Sequence, residues 1–214
     1  MPLRNQIIQE KLKKVAIDEF LEKELKRAGY AGVEIMKTPL GTRVIIYAER
    51  TGMVIGKRGK TVRELTQILR EQFGIDNPQI EVVPVDNPDL NAKIIAARIA
   101  SALQRGVHFR RAAYAAIRRA MEAGARGIEI VIGGKLVSER AKHVKFRAGS
   151  IPKSGEPAYK YVDEAMMEVL LKPGVYGIKV KIMRGDAPKI DEISIKEVLK
   201  EVESEKDEES GASG

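Results

Sequence analysis

Residues 54–65 read Val-Ile-Gly-Lys-Arg-Gly-Lys-Thr-Val-Arg-Glu-Leu. An apolar pair, Val54-Ile55, runs into Gly56-Lys57-Arg58-Gly59, and a helix-periodic segment follows at once. Gly56 and Gly59 carry no Cβ, so the backbone between them can bend tightly and approach a ligand closely. Lys57 and Arg58 are pushed out at the tip. The following helix is predicted to open at Lys60 or Thr61, and its first turn leaves N–H donors with partial positive charge. A cationic loop feeding a helix N-terminus suits a phosphodiester backbone.

Gly59-Lys60-Thr61 also matches the end of a phosphate-binding P-loop, G-x-x-x-x-G-K-[ST]. The first glycine of that motif would fall at Val54, so nucleotide binding fails on spacing. What remains is G-x-x-G. With Val54-Ile55 before it and Val62 and Leu65 after it, the stretch resembles the loop of KH domains, which clamps about four nucleotides by their backbone. The plainer reading is an ordinary turn between two helices. Two basic residues at both exposed positions favour the RNA-binding reading.

Working outward, residues 5–28 place Ile8, Leu12, Val15, Phe20, Leu21 and Leu25 at helical spacing and close on Gly29. Strands follow at Val33–Met36 and Arg43–Ala48, joined by a turn through Thr38-Pro39-Leu40-Gly41. A short helix through Met53-Val54-Ile55 enters the loop. The next helix buries Val62, Leu65, Ile68 or Leu69, and Phe73, and Gln79–Val85 reads as a further strand. Helix, strand, strand, helix, loop, helix, strand is a two-layer α/β (α+β) unit with helices on a small sheet. Its order is similar to the type II KH arrangement. We assign residues 1–88 to this unit.

Asp86-Asn87-Pro88-Asp89 reads as a turn that caps a helix over about 90–104, with Ile95, Ile99 and Leu103 on one face. Residues 89–106 are expected to bridge to a second α/β domain, 107–190, with a mixed sheet. There a helix runs from about Val107 to Ala123. Strands are expected at Ile128–Ile132, Lys142–Arg147 and Gly174–Met183, a loop at Ile151–Pro157 and a helix at Asp163–Leu171. Residues 191–214 hold nine acidic and three basic side chains. We read them as a largely disordered tail, with a short helix possible through Ile195, Val198 and Leu199.

The chain has 214 residues and a net charge of +8. With the tail at −6, the other 190 residues carry +14, which favours a polyanionic partner. No cysteine is present, which excludes disulfides and zinc–thiolate sites. His108 and His143 sit in unrelated segments and read as surface or packing residues. The N-terminus lacks the apolar run of a signal peptide, and no apolar run approaches a bilayer span. The composition predicts a soluble, cytoplasmic protein with no membrane partner.

From Lys93 to Arg119 there are seven Lys or Arg and no acidic residue. On the helix over 107–123, Phe109, Ala113, Ile117 and Ala120 share a stripe predicted to be core. Arg111 and Arg118 nearly superimpose on the other side, Tyr114 lies between them, and Arg110 and Arg119 flank the same surface. An aromatic ring set between arginines can stack a base while the guanidinium groups hold the strand. A solvated basic helix face is the plainer alternative. Arg140, Lys142, Lys145 and Arg147 form a third cluster. It reads equally as RNA contact or as a strand edge kept soluble by charge.

Phe109-Arg110-Arg111-Ala112, the segment Gly127–Leu136, Arg140-Ala141-Lys142, Lys145-Phe146 and the segment Gly177–Met183 follow the KH signature in order. Together they resemble the universal small-subunit ribosomal protein S-three family to about Arg184. Ala141–Phe146 and Tyr161-Val162-Asp163 look closest to its archaeal and eukaryotic branch. The resemblance implies a structural constituent of the small-subunit head, in the cytoplasmic ribosome. Its implied partners are small-subunit rRNA, mRNA at the entrance channel and neighbouring head proteins. In bacterial relatives a basic trio on one helix touches mRNA and helps to unwind it. Arg110 and Arg111 match the first two positions, and the third falls at Tyr114, with Arg118 one turn later.

The RNA-binding set is therefore Gly56, Lys57, Arg58, Gly59, Lys60, Arg110, Arg111, Tyr114, Arg118, Lys142, Lys145 and Arg147. The alternative is a free-standing KH regulator or RNA-processing factor. We expect no enzyme activity, cofactor, metal or small-molecule substrate. Asp86, Asp89, Asp163, Glu164 and Asp186 show no metal-ligand spacing, Asp89 reads as a helix cap, and no nucleophile signature is present.

Overall fold

The computed structural model describes residues 3–38 and 41–187. Pro39-Leu40 of the expected turn, and the acidic tail with its expected short helix, lie outside the described residues. The chain order is α1 (Leu3–Glu24), β1 (Tyr30–Thr38), β2 (Gly41–Ala48), α2 (Thr51–Ile55), α3 (Lys60–Glu71), β3 (Pro78–Pro84), α4 (Ala92–Gln104) and α5 (Phe109–Glu122). It continues with β4 (Gly127–Gly134), β5 (Lys142–Gly149), α6 (Glu156–Tyr161), β6 (Val162–Leu171) and β7 (Gly174–Met183). Among the described residues no helix is long and apolar enough to cross a membrane.

The first core closes over a three-stranded mixed sheet, ordered β1-β2-β3, in which β1 pairs antiparallel and β3 parallel to β2. Register puts Val33 and Ile35 of β1, Val44 and Ile46 of β2, and Ile80 and Val82 of β3 on one face. That face is packed by Ile17 and Leu21 of α1, Leu25 just after it, Val54 of α2, and Leu65 and Leu69 of α3. Burying an aliphatic side chain of this size contributes roughly 1.5–3 kcal/mol. The other face carries polar pairs beside Met36, Ile45 and Val83: Tyr47 donates to Glu34 over 3.1 Å and Arg43 pairs with Glu81. Ile8, Leu12 and Val15, expected to join the apolar stripe of α1, are exposed. The core accepts only the C-terminal half of that helix, because the small sheet is covered by Ile17, Leu21 and Leu25.

Between α2 and α3 the backbone turns through a 3₁₀ turn at Lys57–Gly59. Gly56 has φ 73° and ψ 179°, a region that only glycine occupies readily. An added Cβ there would lie 2.2 Å from the Thr61 hydroxyl and 2.9 Å from its Cβ. Gly59, at φ 75° and ψ 17°, is left-handed but faces open space. Arg58 itself is left-handed, at φ 54° and ψ 29°. This conformation costs a non-glycine residue about 1–2 kcal/mol and turns its side chain out of the loop.

The second core lies between α4 and α5 and a four-stranded sheet ordered β5-β4-β7-β6. Every pairing in it is antiparallel, which corrects the mixed sheet expected here. The mixed sheet belongs to the first core. In the second, β6 and β7 join through a two-residue turn, and β4 and β5 are neighbours in sequence, so short connections force antiparallel pairing. Ile128, Ile130 and Ile132 of β4 are completely buried between two neighbouring strands. The predicted core stripe of α5, Phe109, Ala113, Ile117 and Ala120, is buried as expected.

Residues 163–171, expected as a helix, belong to strand β6. Ala165, Val169 and Leu171 face the core with Met167, while Glu164, Met166, Glu168 and Leu170 face away. Apolar residues on both parities imitate a helical spacing at 165, 166, 169 and 170, and the period of two is hidden. Pairing with β7 along ten positions and packing under α4 override the helix propensity. The α6 turn begins at the end of the expected loop and runs four residues past it, and its start at Glu156-Pro157 suits a first helical turn.

Two outcomes test these assignments. Val169→Asp should destabilise the protein by several kcal/mol, whereas Leu170→Asp should stay within about 0.5 kcal/mol in urea denaturation. A helix would place the two residues on one face and give both variants a cost. Gly56→Ala should cost about 2–3 kcal/mol, and Gly59→Ala about 1 kcal/mol, because only the first adds a clash to backbone strain.

Candidate nucleic-acid interface

Lys57, Arg58 and Lys60 are exposed around the loop. Lys60 lies 3.7 Å from Glu64, one turn along α3. The amides of Gly56, Gly59 and Lys60 donate within the chain, to Gly52, Gly56 and Lys57 carbonyls. They are therefore committed to holding the loop's shape. At the start of α3, Gly59 provides no side-chain cap, and the first turn holds no acidic residue. The positive end of the helix is left without a local counter-charge. The loop offers two cationic tips and a helix N-terminus, on a backbone locked by Gly56.

On α5, Arg110, Arg111, Tyr114 and Arg118 are all exposed. At 3.6 residues per turn they spread over an arc of roughly 100°. Tyr114 and Arg110 lie on the flank toward β5. Tyr114 is 60% exposed, yet its ring meets Phe146 edge-on at 5.3 Å between centroids. Arg110 lies over the Phe109 ring at 5.8 Å. These aromatic contacts fix one side of the helix surface and leave the phenol edge in solvent. Arg111 turns to the other flank, beside Arg119, and Arg118 lies between. His108 is the N-cap of α5, its Nδ1 accepting from the Arg110 amide.

The third cluster does not converge. On β5, Lys142 shares strand parity with the buried Phe146, whereas Lys145 and Arg147 point to the sheet face away from the helices. That face also carries carboxylates. Glu164 takes Lys179 and Lys181 as partners, whose hydrogen bonds hold its carboxyl below the usual range. Glu129, opposite Arg147 in the register, lies 3.7 Å from Lys153. Lys145 and Arg147 thus belong to a different surface from α5.

The two halves are joined by side chains that no local pattern marks. Arg98 on α4 bonds Glu49, at 3.2 Å between Nη2 and Oε1, and also Asp89. Burial works against its charge, and the hydrogen bonds to Glu49 and Asp89 outweigh it, raising its pKa. Asp89 is therefore an anchor for Arg98. The cap of α4 is Asn91, whose side chain accepts from the Ile94 amide at 3.2 Å, which corrects the cap assigned to Asp89. Lys93 reaches Asp18 of α1 at 3.0 Å, and Tyr30 donates to the same carboxylate. Burial, and then that hydrogen bond, push the Tyr30 phenol well above its ordinary range, so it remains a donor. Among the described residues no group of three or more His, Asp or Glu is placed to hold a metal ion.

A family model described as KH domain matches residues 16–90, and one described as Ribosomal protein S3, C-terminal domain matches residues 99–182. The small ribosomal subunit protein uS3 of Methanocaldococcus jannaschii is 51% identical over 190 residues, covering 89% of this chain and 91% of the relative. That of Sulfurisphaera tokodaii is 51% identical, covering 91% and 86%. That of Methanobrevibacter smithii is 52% identical, covering 90% and 77%. With half of its residues shared across both cores, the chain belongs to the small ribosomal subunit protein uS3 family, as an archaeal-type member.

Proposed function

We propose that this protein is a structural constituent of the small-subunit head that holds rRNA by its backbone and touches mRNA at the entrance channel. Membership of a family of ribosomal structural proteins, not of enzymes, supports the first part. The observation that carries the rest is the exposure of Lys57 and Arg58, without a carboxylate partner among the described residues, on a glycine-locked loop at the uncapped start of α3. Such a site grips phosphates without reading bases. The Arg110–Arg111–Tyr114–Arg118 surface of α5 is the proposed mRNA contact, with Arg118 supplying the cation that Tyr114 lacks. It would help unwinding by holding one strand while translocation pulls, with no nucleotide site of its own.

Lys142, Lys145 and Arg147 are proposed as further contacts on two surfaces, not one. A free-standing KH regulator would need only the first domain, whereas the identity to ribosomal relatives runs through the second.

Lys57→Asp with Arg58→Asp should leave the unfolding midpoint unchanged, since both side chains are exposed. RNA affinity should fall about tenfold at low salt, and the log–log salt slope should drop by roughly 0.7 for each phosphate lost. Filter binding across a salt series checks this. Unchanged affinity would remove the loop as a contact.

A further inference from the structure

A cleft of about 1030 Å³ separates the first domain from α4 and α5. Its lining is strongly cationic. Lys26, Arg27 and Arg50 stand on the first-domain wall, and Arg105, Arg111 and Arg119 on the α4–α5 wall. All six are exposed at the surface. The two carboxylates in the lining, Glu49 and Asp89, are both taken by Arg98, at the joint between the domains. Arg50 keeps only a 3.9 Å approach to Glu49. Lys26, Arg27, Arg111 and Arg119 have no carboxylate partner among the described residues. Two facing walls of like charge repel, and the fold maintains them a cleft's width apart through the Arg98 and Lys93 ion pairs. A polyanion lying between the walls would relieve that repulsion.

The floor is built from Ala97, Ser101, Ala112, Ala115 and Ala116, short side chains that leave the space open. One end of the cleft reaches Arg50 and Met53 of the segment that runs through α2 into Gly56. Arg111 lies in its far wall and also on the α5 surface. The cleft therefore connects the two surfaces that the sequence shows only as separate elements.

We propose that this interdomain cleft is a binding site for a single-stranded stretch of RNA, held by phosphates between the Lys26–Arg27–Arg50 wall and the Arg105–Arg111–Arg119 wall. The inference rests on the RNA-binding reading above and extends it from Arg111 to five residues outside both the loop and the basic trio, Lys26, Arg27, Arg50, Arg105 and Arg119. Guanidinium groups pair with phosphate oxygens in a bidentate fork, and five of the six cations are arginines. A cleft of about 1030 Å³ lined by separate cations suits a short stretch of one strand tracked by its backbone.

The test uses the full chain and a fluorescent oligouridylate. The cleft variant combines Arg27→Gln, Arg50→Gln, Arg105→Gln and Arg119→Gln. A control of equal charge combines Lys11→Gln, Lys13→Gln, Lys14→Gln and Lys23→Gln at exposed positions of α1. The cleft variant should bind about tenfold more weakly or worse, and lose roughly 2–3 units of salt slope, while the control changes little. Equal losses in the two would show net charge alone at work and overturn the proposal. The Lys57→Asp, Arg58→Asp protein runs in parallel. Loss there with none in the cleft variant rejects the cleft and leaves the loop reading standing, and no loss in either rejects both. Photo-crosslinking of the unaltered protein with thiouridine-substituted RNA should label peptides containing Met53 or Arg105. Labelling confined to the loop and to Arg110 and Arg118, or polyglutamate occupying the cleft without competition from RNA, would overturn the assignment.

Discussion

Arg98 is the side chain on which the arrangement of this protein depends. Its guanidinium joins Glu49, at the end of the first sheet, to Asp89, in the connection that leads to α4. Three residues from three segments thus meet at one half-buried point between two separate hydrophobic cores. Each core can close by itself around its own sheet. What the ion pairs at Arg98 and Lys93 add is a fixed relation between them, and so a fixed distance between two sets of surface cations. A multi-partner guanidinium of this kind resists removal, because taking it away leaves two carboxylates without a partner.

Positive charge is distributed with the same logic throughout. Where a cation serves structure, it has a carboxylate: Arg43 with Glu81, Lys93 with Asp18, Lys179 and Lys181 with Glu164. At Lys57 and Arg58 of the loop, at Arg110 and Arg118 on the outward arc of α5, and at Lys26, Arg27, Arg105, Arg111 and Arg119 of the interdomain cleft, cations stand without one among the described residues. A surface that leaves this many charges unpaired pays electrostatic repulsion, and phosphate is the ligand that removes it. Membership of the uS3 family accounts for the availability of such a ligand, and the geometry indicates where it would lie.

Much of this was legible in the chain. The glycine pair at 56 and 59 marked the loop, because Gly56 takes a backbone conformation that other residues rarely adopt and Gly59 one that they adopt at a cost, and the order of elements around it marked the first domain. The α5 stripe was legible because Phe109, Ala113, Ile117 and Ala120 obey one helical period. Strand β6 was not, since Met166 and Leu170 face outward and erase the alternation on which a strand is recognised. Ile8, Leu12 and Val15 show the opposite failure: they keep the period of a buried face on a stretch of helix that no core reaches. The cleft was invisible for a different reason. Lys26, Arg27, Arg50, Arg105 and Arg119 are ordinary surface cations in sequence, and only the joint at Arg98 brings them opposite one another.

The central claim is that this protein holds a sugar–phosphate chain through unpaired cations on a rigid frame. The most direct measurement is a cryo-EM structure of the small ribosomal subunit that contains this chain. The account predicts phosphate oxygens within about 3 Å of the Lys57 and Arg58 side chains and of arginines on α5. Finding the loop and α5 both packed against protein, with no nucleic acid beside either, would contradict it.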